Sequence, residues 1–334
     1  MTKYLISRLI WLPIVLWAVA SLTFLALRLV PGTPIDFVAS QNLTTAQITE
    51  YKAEWGLNQP LWFQYLSFLS DLARGHLGNS MSSAVPVKTL LIDRIPPTME
   101  LAVSAMIIST IVGMGAGIIS STTNSKLVDY SARIFSILGL SVPWFWIAIV
   151  LIIIFSVKLG WMPVGGQLDP GTNYKTITHF IVLDAILTGD WSLLRIAVRH
   201  LALPALAVGL TSAGFVARLT RSAMLEVLRT DYVRTARAKG LVERKVVIKH
   251  ALRNAILPVL TLQGLQFGSL LGGAVITELV FSWPGMGRLL LDGVTQRDYP
   301  VVQAAVIFIA FIYVLANLIV DLLYHLVDPR LRAG

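Results

Sequence analysis

The sequence has no cysteine among its 334 residues, and few of its residues carry charge. The missing cysteine excludes disulfide bonds, thiolate metal ligands and a thiol nucleophile. Charged residues make up 13% of the chain, about half the share in a typical soluble domain. Hydrophobic residues make up 55%, and the mean hydropathy is +0.72. These values exclude an ordinary soluble domain and indicate a membrane protein.

Motifs of catalysis are also missing. No Gly-Lys dipeptide occurs in the sequence, so it has no P-loop for the phosphates of ATP. Neither His-Glu-x-x-His nor Gly-x-Ser-x-Gly is present, and no histidine has an acid or a nucleophile at a catalytic spacing. The sequence therefore predicts no enzyme, no metal site and no cofactor in this chain. An enzyme that works inside the membrane is a remote alternative.

Six stretches without Asp, Glu, Lys or Arg are each long enough to cross a hydrocarbon layer of about 30 Å. A charge at the centre of such a stretch would cost about 2.5–3.5 kcal/mol, and lipid leaves no partner for an open backbone. Each stretch is therefore predicted to be a helix, in an all-α polytopic membrane protein with six transmembrane helices. The stretches are Leu9–Leu27, Leu101–Ser125, Ile134–Val157, Leu201–Ala217, Ala255–Thr277 and Val301–Val320.

Two of these stretches raise further points. The first resembles a secretory signal because Lys3 precedes it and Ala18-Val19-Ala20 resembles a cleavage site, but its apolar run continues to Leu27, so we expect a retained anchor. The second contains Gly113, Gly115 and Gly117, which predicts close packing against another helix.

A self-sufficient secondary transporter would be expected to place ionisable residues in its spans, and these six have none.

The placement of Lys and Arg predicts the orientation. With the N-terminus inside, the inner segments hold 16 of the 27 Lys and Arg, although they are much shorter than the outer segments. Both termini are then cytoplasmic. This bias accounts for the net charge of +9, and because the basic residues adjoin spans, a nucleic-acid partner is not predicted.

The most basic inner segment, residues 218–253, is called the basic loop below. It carries ten Lys or Arg and three Asp or Glu in 36 residues. The apolar spacing predicts one helix over Met224–Ala238, ended by a left-handed Gly240, and a second helix from Val242 to Asn254. Ala236 and Ala238 are small enough to let another surface approach closely. A plain cytoplasmic connector explains the charge of this loop but not that arrangement, so we expect a docking site for a soluble partner.

The outer segments carry weaker signals. The segment from Arg28 to Glu100 is long enough for a small subdomain, whose aromatic residues either anchor it at the membrane interface or dock an external partner. The short apolar stretch Ile177–Leu187 carries Asp184 and is predicted to be interfacial, not spanning. We call residues 281–287 the outer break, because Phe281-Ser282-Trp283-Pro284-Gly285-Met286-Gly287 interrupts the helical pattern after the fifth span.

Glu278 precedes the outer break at the edge of the membrane. An acid at that depth is a candidate functional residue. The alternatives are a local ion pair with Arg288 and simple exposure to water; for Trp283 the alternative is an interfacial anchor. The predicted external gate or binding-protein contact comprises Glu278, Trp283, Pro284 and Gly285.

Fragments along nearly the whole chain, taken in their order and spacing, resemble one family. They include Arg28-Leu29-Val30-Pro31-Gly32-Thr33-Pro34, Gly56-Leu57-Asn58-Gln59-Pro60, Arg94-Ile95-Pro96-Pro97-Thr98-Met99-Glu100-Leu101, Asp231-Tyr232-Val233-Arg234-Thr235-Ala236-Arg237-Ala238-Lys239-Gly240-Leu241, Asp298-Tyr299-Pro300 and Asp328-Pro329-Arg330. The chain resembles the first of the two permease subunits in the dipeptide, oligopeptide and nickel class of bacterial ATP-driven importers.

The resemblance implies a type I ABC importer permease fold in the bacterial inner membrane. It implies as partners a homologous second permease, two ATP-binding subunits that bind ATP and Mg²⁺, and an extracytoplasmic substrate-binding protein. It divides the chain into residues 1–30 with the first span, an external subdomain at 31–97, a permease core at 98–327 that contains the basic loop, and a cytoplasmic tail at 328–334.

In such importers a cytoplasmic helix–turn–helix fits a groove on an ATPase subunit. The residues here that match it are Asp231, Tyr232, Arg234, Thr235, Ala236, Arg237, Ala238, Lys239, Gly240 and Leu241. The general motif places Glu-Ala-Ala where this chain has Arg234-Thr235-Ala236, which puts in doubt any contact normally made by the Glu. The peptide branch resembles this version, so peptides are the expected substrate, with nickel or glutathione as the alternative.

Overall fold

The structure, a computed structural model, describes residues 2–35, 45–123, 125–273 and 275–327. The cytoplasmic tail predicted at 328–334 lies outside these residues. Within them the named elements are all helices, and β-pairing is limited to one isolated bridge between Asn79 and Pro86. The helices are α1 (Thr2–Leu29), α2 (Thr45–Glu54), α3 (Leu61–Ala73), α4 (Val87–Thr122), α5 (Lys126–Ser141), α6 (Trp144–Leu151, continued by a π-helix at Ile152–Lys158), α7 (Ile181–Thr188), α8 (Trp191–Val227), α9 (Asp231–Ala238), α10 (Glu243–Lys245, continued by a π-helix at Val246–Ala251), α11 (Leu252–Gly273), α12 (Val275–Val280), α13 (Met286–Thr295) and α14 (Tyr299–Val327).

Four helices of the described residues are long and apolar enough to cross a membrane: α1 over Ile10–Leu29, all of α4 and α8, and α14 over Tyr299–Ile319. A fifth span results if α5 and α6 with its π-helical continuation form one bent crossing. The remaining stretch of the six, Ala255–Thr277, corresponds to the consecutive helices α11 and α12. The all-α prediction is confirmed by this architecture.

The third predicted span is not one continuous helix, as the sequence analysis expected. The helix axis bends by 105° between its two halves, Asp129–Gly139 and Trp144–Lys158. Val142 has extended backbone angles (φ −89°, ψ 124°) immediately before Pro143. Proline disfavours helical angles in the residue before it and cannot donate the backbone hydrogen bond that would continue the helix. The bend is therefore set by Pro143 within a run whose composition alone is that of a straight span.

The chain forms two compact units. The first comprises Met1–Pro96 and Pro284–Val314, and its apolar core is formed by Val87, Leu91, Met286, Leu289, Val301, Ala304 and Ala305. The second comprises Pro97–Trp283 and Leu315–Gly334, and one of its cores joins Leu101, Leu201, Ala205 and Trp283.

In the second unit, α4 and α8 pack closely where glycines replace side chains. A Cβ added at Gly113 would lie 2.6 Å from Cβ of Val216, and one added at Gly117 would lie 2.6 Å from Cβ of Thr220. The predicted close helix packing is therefore confirmed at these two positions. Gly115 faces open space, so it takes no part in this contact.

Candidate coupling loop and outer break

The basic loop begins as a continuation of α8, which extends ten residues beyond the predicted end of the fourth span at Ala217 to Val227. The predicted single helix over Met224–Ala238 is wrong, because the chain leaves α8 at Leu228 and starts α9 at Asp231. Thr230 causes the break. Its backbone is extended (φ −72°, ψ 154°), and its hydroxyl donates a 2.6 Å hydrogen bond to the carbonyl of Val227, at the end of α8.

Gly240 ends α9 as predicted. Its φ is +75°, in the left-handed region that favours glycine. The Gly240 N–H donates to the carbonyl of Arg237 at 2.9 Å, and the Leu241 N–H donates to that of Ala236 at 3.4 Å. These two hydrogen bonds form a Schellman motif, which satisfies the last carbonyls of the helix and turns the chain back on itself.

The basic loop has a small core of its own. Val233 and Val246 are fully buried and Ala236 is 6% exposed, and the three pack with Val227 and Leu228. The methyl group of Ala236 lets α9 approach the start of the next helix, and a contact of Ala236 with a partner stays a prediction. Ala238 is exposed, so it remains available for an external contact.

Two side-chain contacts hold α9 against the second helical segment. The Asn254 amide donates a 2.6 Å hydrogen bond to the Tyr232 hydroxyl. Arg237 donates to both carboxylate oxygens of Glu243, at 2.6 and 3.1 Å. These hydrogen bonds hold the pKa of the Glu243 carboxyl below its ordinary value. Because both side chains are partly exposed, we assign the pair a role in orientation more than in stability.

The folded loop leaves both basic and apolar side chains exposed. Arg234 is among them, its side chain 72% exposed and 3.5 Å from Asp231, which is itself almost fully exposed. The predicted residues Thr235, Ala238, Lys239 and Leu241 are also exposed. Sequence reasoning missed the apolar part that follows the turn, where Val242 is 69% and Ile248 52% exposed. The exposed apolar residues could have been predicted from the chain reversal at Gly240, since a chain that turns back presents residues from both sides of the turn.

At the end of the fifth stretch, Glu278 is fully buried. Its Oε1 accepts a 2.7 Å hydrogen bond from the Thr98 hydroxyl at the start of the second unit. The alternative that Glu278 merely faces water is therefore wrong. Its pairing with Arg288 stays a prediction; Arg288 Nε lies 4.0 Å from Asp292 Oδ2.

Trp283 is also buried, only 1% exposed, and its indole N–H donates to the carbonyl of Pro97 at 2.9 Å. The alternative of an interfacial anchor is wrong for this residue, because the ring packs in protein against Leu101 and Leu201. A direct binding-protein contact through Trp283 is not available in this conformation either. Glu278 and Trp283 instead tie the two ends of the segment Pro97–Trp283 together.

The other two residues of the predicted outer site belong to the first unit. Pro284 is half-buried, and Gly285 is buried at the N-terminus of α13 with extended backbone angles (φ −102°, ψ −173°). Ser282, the exposed residue of the outer break, has a positive φ of 48°, which marks the sharp turn out of α12. Within the part of the chain that the structure describes, no cluster of His, Asp or Glu is arranged to hold a metal ion.

Comparison with known proteins places this architecture in a family. Residues 94–333 match the family described as binding-protein-dependent transport system inner membrane component, and residues 1–102 match the N-terminal region of such components. The chain belongs to this family and is a multi-pass inner-membrane transport subunit.

Individual relatives cover almost the entire chain. It is 44% identical to the di/tripeptide transport system permease protein DppB of Pseudomonas aeruginosa, over 99% of each protein. It is 41% identical to the dipeptide transport system permease protein DppB of Alkalihalophilus pseudofirmus, over 99% of this chain and 100% of the relative. It is 39% identical to the glutathione transport system permease protein GsiC of Escherichia coli, over 99% of each.

A solved structure shows the same fold at low sequence identity. It is a structure of the MetNI methionine ABC transporter in inward-facing conformations, with a TM-score of 0.56 and 16% identity, over 73% of this chain and 98% of the other. The type I ABC importer permease fold expected from the sequence is confirmed.

Proposed function

We propose that this chain forms half of the translocation path of an ATP-driven importer for short peptides. The observation that carries the proposal is full-length similarity, at 44% and 41% identity, to permeases named for dipeptide or di/tripeptide transport. The relative named for glutathione transport supports that tripeptide as the second candidate substrate. Nickel rests on the family resemblance alone.

The basic loop is proposed as the docking site for an ATP-binding subunit. The support is its fold: the Gly240 turn and the core around Val233 and Val246 hold α9 against the segment that follows the turn, beyond the extended end of α8. The exposed surface combines basic side chains with Leu241 and Val242, a mixture that fits a groove with apolar walls and acidic edges. The sequence contains no P-loop, so the energy of ATP has to arrive through such a contact.

The remaining partners follow from the proposed orientation, with both termini and the basic loop in the cytoplasm. A homologous second permease completes the path, two ATP-binding subunits bind ATP and Mg²⁺ below it, and an extracytoplasmic binding protein delivers substrate above it. The Glu278–Thr98 and Trp283–Pro97 hydrogen bonds are proposed to belong to the external gate, because they hold the end of the fifth span against α4 at Pro97 and Thr98.

An uptake experiment tests the substrate. Cells that lack their own peptide permeases receive the complete transporter with this chain, and labelled dialanine, glutathione and nickel are supplied separately. The proposal predicts ATP-dependent accumulation of dialanine that is lost when this chain alone is omitted. Accumulation of nickel without either peptide would overturn the peptide assignment, and accumulation of glutathione without dialanine would favour the second candidate substrate.

A further inference from the structure

The first unit contains a half-open cavity of about 230 Å³, whose lining includes none of the proposed docking or gate residues. It lies where the last turn of α1 meets α3 and the first turns of α14, and we call it the Arg28 cavity. Arg28 from α1, Gln64 and Asp71 from α3, and Tyr299 and Gln303 from α14 contribute to its lining.

Two hydrogen-bond donors of this cavity lack an acceptor among the described residues. Arg28 donates from Nε and Nη2 to Gln64 Oε1, at 3.2 and 2.8 Å, but its buried Nη1 has no partner. The buried Nε2 of Gln303 likewise has no partner, and Gln303 is only 7% exposed. An unsatisfied buried donor is costly, and a charged one more so. Two of them in one cavity call for an acceptor such as an oxyanion.

Two aromatic rings hold the Arg28 guanidinium in place, so its unpaired N–H has a defined direction. Its guanidinium carbon lies 3.7 Å from the ring centre of Phe24 and 5.0 Å from that of Tyr299. Tyr299 and Gln303 are one helical turn apart on α14 and therefore share a face. This brings the cation and the free amide to the same side of the cavity.

The surroundings of the cavity are those of a membrane edge. Arg28 is in the last turn of one spanning helix, and Tyr299 begins another, so the cavity lies level with the ends of two spans. Along α1, Leu22, Leu25 and Leu29 are 67%, 53% and 73% exposed, and Trp62 at the start of α3 is 65% exposed. Aromatic residues and exposed leucines at this level are typical of contact with lipid.

We propose that the Arg28 cavity binds the headgroup of a zwitterionic phospholipid of the phosphatidylethanolamine type. The phosphate accepts hydrogen bonds from Arg28 Nη1 and Gln303 Nε2, and the acyl chains lie along the exposed leucines of α1. The ammonium group is matched by Asp71, an exposed carboxylate in the same lining. A lining that carries both a cation, Arg28, and an anion, Asp71, fits a zwitterion better than a purely anionic lipid.

Native mass spectrometry of the purified full chain tests the proposal, after equilibration with nanodiscs that contain equal amounts of phosphatidylethanolamine and phosphatidylglycerol. The parent should retain phosphatidylethanolamine preferentially. Gln303→Leu should weaken retention by roughly tenfold, the effect of losing one hydrogen bond to a charged group. This variant keeps every contact of Arg28 and is therefore the discriminating one. Asp71→Asn should remove the preference between the two lipids while binding persists.

Arg74→Gln is the matched control, since Arg74 is an exposed arginine next to α3 that does not line the cavity. It should retain lipid like the parent, and thermal unfolding checks that each variant is folded. Equal retention in Gln303→Leu and Arg74→Gln would overturn the proposal. Displacement of the lipid by free dialanine, with retention of the peptide, would also overturn it, because the ligand would then be a soluble zwitterion.

Discussion

At the scale of single residues, the basic loop depends on Gly240. No atom outside its immediate neighbours lies within 4 Å of a Cβ built on this residue, so space does not demand glycine there. Glycine is favoured because φ is +75°, a backbone angle that costs an ordinary residue about 1–2 kcal/mol and a β-branched residue more. The turn is thus sensitive to backbone conformation and insensitive to side-chain size.

We predict that Gly240→Val leaves the subunit inserted in the membrane but reduces uptake. A penalty of about 1–2 kcal/mol lowers the population of the docking-competent turn by roughly 5–30-fold. Uptake of labelled peptide and ATP hydrolysis by the assembled transporter are the measurements. Gly240→Asn is the matched control because Asn tolerates left-handed angles, and it should retain most of the uptake. Equal, normal uptake in both variants would contradict the docking role of the turn.

A second residue-scale prediction concerns Trp283. Trp283→Phe keeps a large ring among Leu101 and Leu201 but removes the N–H that donates to Pro97. The Pro97 carbonyl keeps its backbone partner within α4 but loses this second hydrogen bond, which should destabilise the subunit by about 0.5–1.5 kcal/mol. Thermal unfolding of the purified chain measures this, with Trp191→Phe as control because Trp191 is 71% exposed. Similar unfolding temperatures for the two variants would show that the Trp283 hydrogen bond contributes little.

At the scale of helices, the sequence predicted the ends better than the breaks. The end of α9 was predictable because one residue type, Gly240, is required by one backbone conformation. The break at Thr230 was not, because it depends on a hydroxyl bonding back to Val227 in place of a continued helix. Pro143 is visible in the sequence, but its apolar neighbours resemble those of a straight span. When a break depends on one residue, its signal in the sequence is easily outweighed by the helical periodicity of the surrounding residues.

The short helix α7 supports a pH prediction. Asp184 is buried and accepts hydrogen bonds from the N–H of Ile177 at 3.0 Å and from the N–H and hydroxyl of Thr178 at 2.8 and 2.6 Å. Burial raises the pKa of this carboxyl, but these hydrogen bonds outweigh it, so the pKa lies below its ordinary value. Because the folded-state pKa is the lower one, the stabilisation is complete above about pH 4 and is lost as pH falls through the folded-state pKa.

Asp184→Asn should therefore unfold more readily at neutral pH, by about 1–3 kcal/mol, and should lose part of the acid sensitivity of the parent. Unfolding midpoints of the purified chain between pH 7 and pH 3 provide the test. Asp190→Asn is the control, because Asp190 caps α8 by accepting from the Leu193 N–H at 2.9 Å and asparagine caps equally well. The prediction fails if Asp184→Asn follows the parent at every pH.

At the scale of the whole molecule, the composition was sufficient to predict a polytopic membrane protein. Contacts between residues far apart in the sequence were not predictable. The charge-free stretches, together with the motifs in their order along the chain, predicted an all-α permease. The family match and the solved fold confirm this prediction. The burial of Trp283 and Glu278 depends on Pro97 and Thr98, which are 186 and 180 positions away. The local sequence pattern carries no information on such contacts, so the sequence alone indicates a surface feature at the outer break.

Topology offers a whole-molecule prediction. Reporter fusions after Lys126 and Lys239 should be cytoplasmic, and fusions at Gln59, Gly171 and Gln296 should be external, because Lys and Arg concentrate in the inner segments. Paired reporters that are active on opposite sides of the membrane provide the measurement. An external signal at Lys239 would contradict the proposed docking of the basic loop to a cytoplasmic ATP-binding subunit.

The central claim is that this chain is a path-forming subunit that moves peptide only when an ATPase drives it. Proteoliposomes that contain this chain, the second permease and the ATP-binding subunits, supplied with binding protein and labelled dialanine, test it most directly. We predict ATP-dependent peptide uptake by the complete assembly and none by this chain alone. Uptake by this chain alone, driven by an ion gradient and indifferent to ATP, would contradict the account and identify a secondary transporter.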